Sequence, residues 1–111
     1  MKYHSKKTVI DGIRFDSMAE ADRYRELKLL ERAGKIRALT LQPKFTLIPS
    51  FKKGGKTYRK VVYIADFQYY DIPADKIVIE DVKGFKTPVY RLKKTLFEFT
   101  YPQYEITEVY R

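Results

Sequence analysis

Asp66 and the triplet Asp81-Val82-Lys83 are the residues of this sequence whose types and spacing suit hydrolytic chemistry; a gap of 14 residues separates them. That gap fits two strands joined by a turn. The segments VVYIADFQYY and KIVIEDVKG flank a tight connection at DIPAD, and a hairpin symmetric about Pro73 and Ala74 sets Asp66 opposite Asp81. Because side chains alternate along a strand, Asp81 and Lys83 share a face with Ile77 and Ile79, whereas Glu80 turns the other way with Val78 and Val82. Asp66 shares its face with Val62 and Ile64. Two ionised aspartates side by side on an apolar face raise each other's pKa, and a bound cation removes that penalty. Oxygen ligands suit hard cations, so Mg²⁺ or Mn²⁺ is the expected cofactor, held by Asp66, Asp81 and the backbone carbonyl of Val82. Such an ion polarises a phosphate and acidifies a water. Lys83 is then placed to hold or help deprotonate that water and to offset charge on the pentavalent phosphorus, with no covalent nucleophile required. The plainer alternative is a cross-strand salt bridge on a solvated sheet face, against which the flanking isoleucines and valines argue.

The charge points to the substrate. A formal net charge of +9 on 111 residues favours a polyanion, with DNA the first expectation. From Arg32 to Ala65 there are nine Lys or Arg and no acidic residue, and then the sign flips: Asp66, Asp71, Asp75, Glu80 and Asp81 fall within one short segment. Binding DNA does not require carboxylates there. Lys52, Lys53, Lys56, Arg59 and Lys60 surround Gly54-Gly55, which reads as a hairpin arm able to track a phosphate backbone, with a solvated hairpin as the plainer reading. Arg91, Lys93 and Lys94 form a further basic run that either flanks the cleft or is simply the wet face of a helix. With no cysteine, thiolate zinc sites, disulfides and cysteine nucleophiles are excluded. No run reaches the about 18 apolar residues of a membrane span, and the opening MKYHSKKTVIDGIRF has no apolar stretch before a cleavage site, so a soluble, cytoplasmic protein is expected. His4, the one histidine, is given no role.

The elements that position these residues can be read along the chain. Ser17 with Glu20 three residues on marks a helix start, and Gly34 marks its end. Strand-like IRALTLQPKFTLIP follows, interrupted at Pro43, and then the arm and the two strands of the hairpin. Thr87-Pro88 reads as an N-cap with proline in the first turn of a second helix. Val89, Leu92, Leu96 and Phe99 form a stripe at spacings of three and four that predicts the core face of that helix. Pro102 ends it, and QYEITEVYR closes as a last strand. A single α/β domain over 1–111 is expected, with a mixed sheet flanked by two helices in the order helix, three strands, helix, strand.

Asp66 followed by Asp81-Val82-Lys83, within that order of elements, resembles the D…(D/E)-x-K signature of the PD-(D/E)XK nuclease superfamily, with Ala65 in place of the preceding proline. The resemblance covers nearly the whole chain and implies the restriction-endonuclease-like αβββαβ core. Members of that superfamily, archaeal Holliday-junction resolvases among them, often carry a glutamate on the first helix, and Glu20 occupies the matching place; its competing role is the capping box. The blocks Ala33-Gly34-Lys35-Ile36, Gln42-Pro43-Lys44-Phe45 and Glu80 to Thr87 are also similar to a group of small phage-borne proteins. Together these imply an Mg²⁺-dependent endodeoxyribonuclease of phage recombination or DNA processing, acting as a homodimer on branched or duplex DNA, with Glu20, Asp66, Asp81 and Lys83 as catalytic residues. The competing function is a nucleic-acid-binding module that keeps the fold without the chemistry. A structural phage protein is the least favoured, since it explains neither the charge nor the carboxylates.

Overall fold

A computed structural model of the chain describes residues 7–83 and 85–111, so His4 lies outside the described residues. The chain opens with a hairpin, β1 (Thr8–Ile10) and β2 (Ile13–Phe15), whose turn residues Asp11 and Gly12 both have positive φ, 53° and 74°. That is the Asp-Gly hairpin turn, a signal that TVIDGIRF carries in its own sequence. Helix α1 (Met18–Arg32) begins as expected: the Ser17 side chain accepts the Glu20 N–H at 3.1 Å. Gly34 follows its end at φ 73°.

Strands β3 (Ile36–Leu41), β4 (Lys44–Ile48), β5 (Phe51–Lys53), β6 (Lys56–Tyr58), β7 (Val61–Ile64), β8 (Phe67–Asp71) and β9 (Lys76–Lys83) come next, then α2 (Pro88–Thr100) and β10 (Ile106–Tyr110). The central sheet runs β10-β9-β8-β3, with β10 parallel to β9 and the other pairs antiparallel. Two helices and a mixed sheet are thus the architecture expected from the sequence. No helix among the described residues is long and apolar enough to cross a membrane.

Two of the expected strands are broken. VVYIADFQYY splits into β7 and β8 at Ala65-Asp66, and its partner splits into β3 and β4 at Gln42-Pro43. The breaks face each other: Gln42 N–H donates to the Asp66 carbonyl at 2.9 Å, and Ala65 N–H to the Pro43 carbonyl at 3.1 Å. Proline cannot donate to a ladder, and Gln42 takes a positive φ of 51°, so the pair of strands bends here as one unit.

The sheet carries one core on each face. Towards α1 lie Phe15, Tyr24, Leu27, Phe67, Tyr69 and Val78; towards α2 lie Leu47, Tyr63, Ala65, Ile79, Tyr90 and Phe97. The alternation along β9 is as read from the sequence, except that Ile77 is exposed. Helix α2 corrects another expectation. Thr87 caps it, accepting the Tyr90 N–H at 3.0 Å, but the stripe of Val89, Leu92, Leu96 and Phe99 is not its core face. Leu96 is partly buried, Val89 and Leu92 are exposed, and Phe99 is 85% exposed. Tyr90 and Phe97 are buried instead, because the rings of Phe45 and Tyr63 offer Phe97 edge contacts at centroid distances of 5.0 and 5.6 Å. Aromatic bulk and geometry outweigh the aliphatic stripe.

Candidate metal and phosphodiester site

The hairpin register pairs Asp71 with Lys76 and continues to Phe67 with Glu80, as the symmetric turn requires. It stops one residue short of the expected Asp66–Asp81 pair. At the bend, Asp66 N–H reaches the Glu80 carbonyl at 3.0 Å, and the Asp66 carboxylate accepts the Val82 N–H at 2.6 Å. Asp66 is therefore held by its own backbone on both sides, and its side chain substitutes for a ladder bond. Val82 meets it through that N–H.

Asp81 is 5% exposed, so its carboxylate is not on a solvated face. One oxygen lies 2.8 Å from Lys83 Nζ, and the other accepts the Tyr63 hydroxyl at 2.5 Å. Lys83 Nζ also sits 3.6 Å from the centroid of the Tyr90 ring, and Tyr90 in turn donates to Glu108 at 2.7 Å. The ammonium is thus fixed between a carboxylate and the negative face of an aromatic ring.

Burial pushes the Asp66 carboxyl up to about 7; the Val82 amide opposes this, while the negative charges of Asp81 and Glu20 add to it. Glu20 is raised too, by burial first and then by Asp16 and Asp81, against a hydrogen bond from Ser17 and the charge of Lys83. Three carboxylates and one amine therefore feel one another's charge. Glu20 and Asp66 also line a common cavity of about 110 Å³ with Gln42, Leu41 and Phe15. Asp81 and Lys83 open on a second cavity of about 260 Å³, bordered by Thr87, Val89 and Lys93.

Among the described residues, no three His, Cys, Asp or Glu side chains are arranged to hold a metal ion. Glu20 shares a cavity with Asp66, whereas Asp81 opens on the other one, so the three carboxylates do not form a closed cage. The donor set still fits a hard cation, for Mg²⁺ keeps several waters and takes one or two carboxylates. The space of about 110 Å³ beside Asp66 has room for a few waters, each about 30 Å³ in the liquid.

The chain belongs to the DUF1064 family, described as "Protein of unknown function". The family model spans residues 1–111, the site and the arm included. No curated protein and no solved structure matches the chain.

The remaining expected residues divide. Lys52, Lys53, Lys56, Arg59 and Lys60 are all exposed, on the arm formed by β5 and β6. Lys93 borders the second cavity but donates to the Val62 carbonyl at 3.0 Å, Lys94 lies 3.7 Å from Glu98, and Arg91 is exposed on the same helix. Gln42, where the strands break, also lines the Asp66 cavity.

Glu80, which the alternation turns away from Asp81, takes a structural role. It is 1% exposed and accepts from Arg23 at 2.8 and 2.6 Å and from the Tyr69 hydroxyl. Its ion pair ties β9 to α1 one turn beyond Glu20. A sequence signal exists, because an arginine on the stripe of Glu20, Tyr24 and Leu27 needs a buried acid opposite. Tyr63 and Tyr90 have no such signal, since nothing in their local sequence distinguishes them from packing aromatics.

Proposed function

We propose that this protein is a metal-dependent DNA endonuclease that hydrolyses phosphodiester bonds, of the kind its resemblance to the PD-(D/E)XK nucleases implies. The observation that carries the reading is the meeting of Asp66 and Asp81, one carboxyl pushed up to about 7, beside an amine 2.8 Å from Asp81. The Asp81–Lys83 ion pair does not explain a second, partly buried carboxylate whose pKa burial and the charge of Asp81 raise. Asp66 and Asp81 would hold Mg²⁺ or Mn²⁺, with Glu20 assisting from the cavity it shares with Asp66 and the Val82 backbone alongside. Bound there, the ion would supply charge neutralisation at the scissile phosphate and an acidified water.

The protein's own groups do the rest. Tyr63 fixes the Asp81 carboxylate, and the Val82 amide fixes that of Asp66. Lys83, held by Asp81 and Tyr90, presents its ammonium where negative charge grows on phosphorus. The basic arm, with Arg91, Lys93 and Lys94 on α2, draws in the DNA backbone. Cytoplasmic action in a bacterial or phage-infected cell, during recombination or processing of branched DNA, follows from the same resemblance. So does a homodimer, for which the exposed stripe of α2 supplies an apolar surface.

One observation favours a different reading, a DNA-binding module without catalysis: both Asp81 oxygens already have partners. The two readings part in one experiment. Branched and linear DNAs are incubated with Mg²⁺ or Mn²⁺ and wild type, Asp81→Ala or Lys83→Ala. The nuclease reading expects cleavage by wild type and at least about 100-fold slower cleavage by either variant. DNA bound by all three proteins and cut by none would establish the binding module.

A further inference from the structure

β5 and β6 form a two-stranded sheet of their own, apart from the central one. Phe51 pairs with Tyr58, Lys52 with Thr57 and Lys53 with Lys56. Alternation therefore puts Phe51, Tyr58, Lys53 and Lys56 on one face of the ribbon, and Lys52 and Thr57 on the other. The two rings stack with centroids 4.8 Å apart and planes 6° apart, yet Phe51 stays 46% exposed and Tyr58 39%. Lys56 Nζ lies 5.0 Å from the Tyr58 ring. At the tip, Gly54 and Gly55 take φ of 58° and 75°, and a Cβ on either would meet nothing within 4 Å. The glycines serve the turn, and the tip stands clear of the domain.

A cross-strand aromatic pair helps any isolated hairpin, which accounts for the stack. It does not account for the company the rings keep. Cations lie on the same face at the tip, and Arg59 and Lys60 follow Tyr58 at the base, with no acidic residue between Arg32 and Ala65. Open aromatic surface bracketed by cations is complementary to a nucleotide, whose base offers a π-face and whose flanking phosphates offer charge. In duplex DNA those faces are covered by stacking, and only base edges are on offer. The arm's cations can meet those edges, but its two open rings find no base face there.

We propose that the β5–β6 arm binds unpaired nucleotides of DNA, its Phe51–Tyr58 face stacking on exposed bases while Lys52, Lys53, Lys56, Arg59 and Lys60 hold the adjoining phosphates. The proposal rests on the DNA-binding part of the reading above and needs none of its chemistry. It assigns the substrate class: DNA with a single-stranded gap, tail or branch.

The test measures binding of labelled oligothymidylate and of a duplex of equal length, in EDTA so that nothing is cut. Wild type is compared with Phe51→Leu and Tyr58→Leu, which keep an apolar cross-strand pair without its π-faces, and with Tyr58→Phe, which keeps both. Stacking on a base predicts a loss of about 10- to 100-fold for oligothymidylate in the leucine variants, a much smaller loss for duplex, and full retention in Tyr58→Phe. Equal losses for both DNAs, or none for either, overturn the proposal, as does wild-type binding no tighter to the single strand than to the duplex. Cleavage of duplex in Mg²⁺ is followed separately: if it survives while strand preference is absent, the arm proposal falls and the nuclease reading stands. Strand preference without cleavage of any DNA upholds the arm proposal and removes the nuclease reading.

Discussion

Replacing Asp66 by asparagine tests the electrostatics of the site without touching DNA. The carboxyl is pushed up to about 7 from an ordinary 3.8, by burial and by the neighbouring negative charges of Asp81 and Glu20. The folded protein therefore holds this proton more tightly than the unfolded chain does. Stability is highest below about pH 4 as far as this group is concerned, falls as pH rises through the interval from about 4 to about 7, and levels off above it. At about 1.4 kcal/mol for each pH step between the two values, the upper limit is roughly 4 kcal/mol; solvent reaching the partly open site reduces this to about 2. Asparagine keeps an oxygen for the Val82 N–H and cannot ionise, so Asp66→Asn should be the more stable protein at pH 8 by about 2 kcal/mol. For a domain of this size that is roughly 8–16 °C in Tm, with the two proteins converging below pH 4. A divalent ion acts on the same charge. Mg²⁺ at ten times its Kd should raise wild-type stability at pH 8 by about 1.4 kcal/mol, and do nothing for Asp66→Asn or at pH 4. Thermal unfolding followed by circular dichroism across this pH range, with and without Mg²⁺, reads all of these effects. Parallel pH profiles for the two proteins, together with a wild type indifferent to Mg²⁺ at pH 8, would refute both the burdened carboxyl and the cation site.

Two further outcomes are expected. Arg23→Met leaves Glu80 buried without its cation and should cost about 3–5 kcal/mol in urea unfolding, whereas the double change Arg23→Met with Glu80→Met should recover much of it; a single change without effect would remove the Arg23–Glu80 pair from the account of the fold. If α2 forms the dimer contact, Leu92→Glu should turn a dimer into a monomer in sedimentation at unchanged Tm, since Leu92 packs against nothing in the domain's core; a wild-type monomer would dispose of the contact.

The chain announces its elements and their order clearly, and its departures from them faintly. Ser17, Gly34, Thr87-Pro88 and the Gly54-Gly55 turn mark boundaries because each solves a local backbone problem, and local problems are written in local sequence. The register of the hairpin is legible for the same reason: a turn centred on Pro73-Ala74 admits one symmetric pairing. What the sequence does not show is which of two adjacent stripes on α2 meets the sheet. Val89, Leu92, Leu96 and Phe99 satisfy the helical period, but Tyr90 and Phe97 win through rings supplied by Phe45 and Tyr63, from strands that lie far from α2 in sequence. Arg23 on the inner face of α1 hints at an acid opposite, but that the acid is Glu80 is a long-range fact, set when α1 lies against β9.

Asp66 shows how the two kinds of information meet. An aspartate inside a run such as VVYIADFQYY disfavours a continuous strand, and across the sheet Pro43 disfavours its partner. Each alone suggests a local irregularity. Because Gln42 and Asp66 bond to one another, the two faults coincide, and the sheet bends at the place where the carboxylate must leave the ladder to reach the Val82 N–H. A straight strand would keep Asp66 in regular alternation with its neighbours and leave the Val82 N–H without this acceptor. The bend thus brings a costly carboxyl next to a second one and supplies it with one compensating amide. Lys83 and Tyr63 answer the charge of Asp81, but one amide does not neutralise that of Asp66. The charge left over is what a proton satisfies near pH 7 and what a divalent ion would satisfy above it.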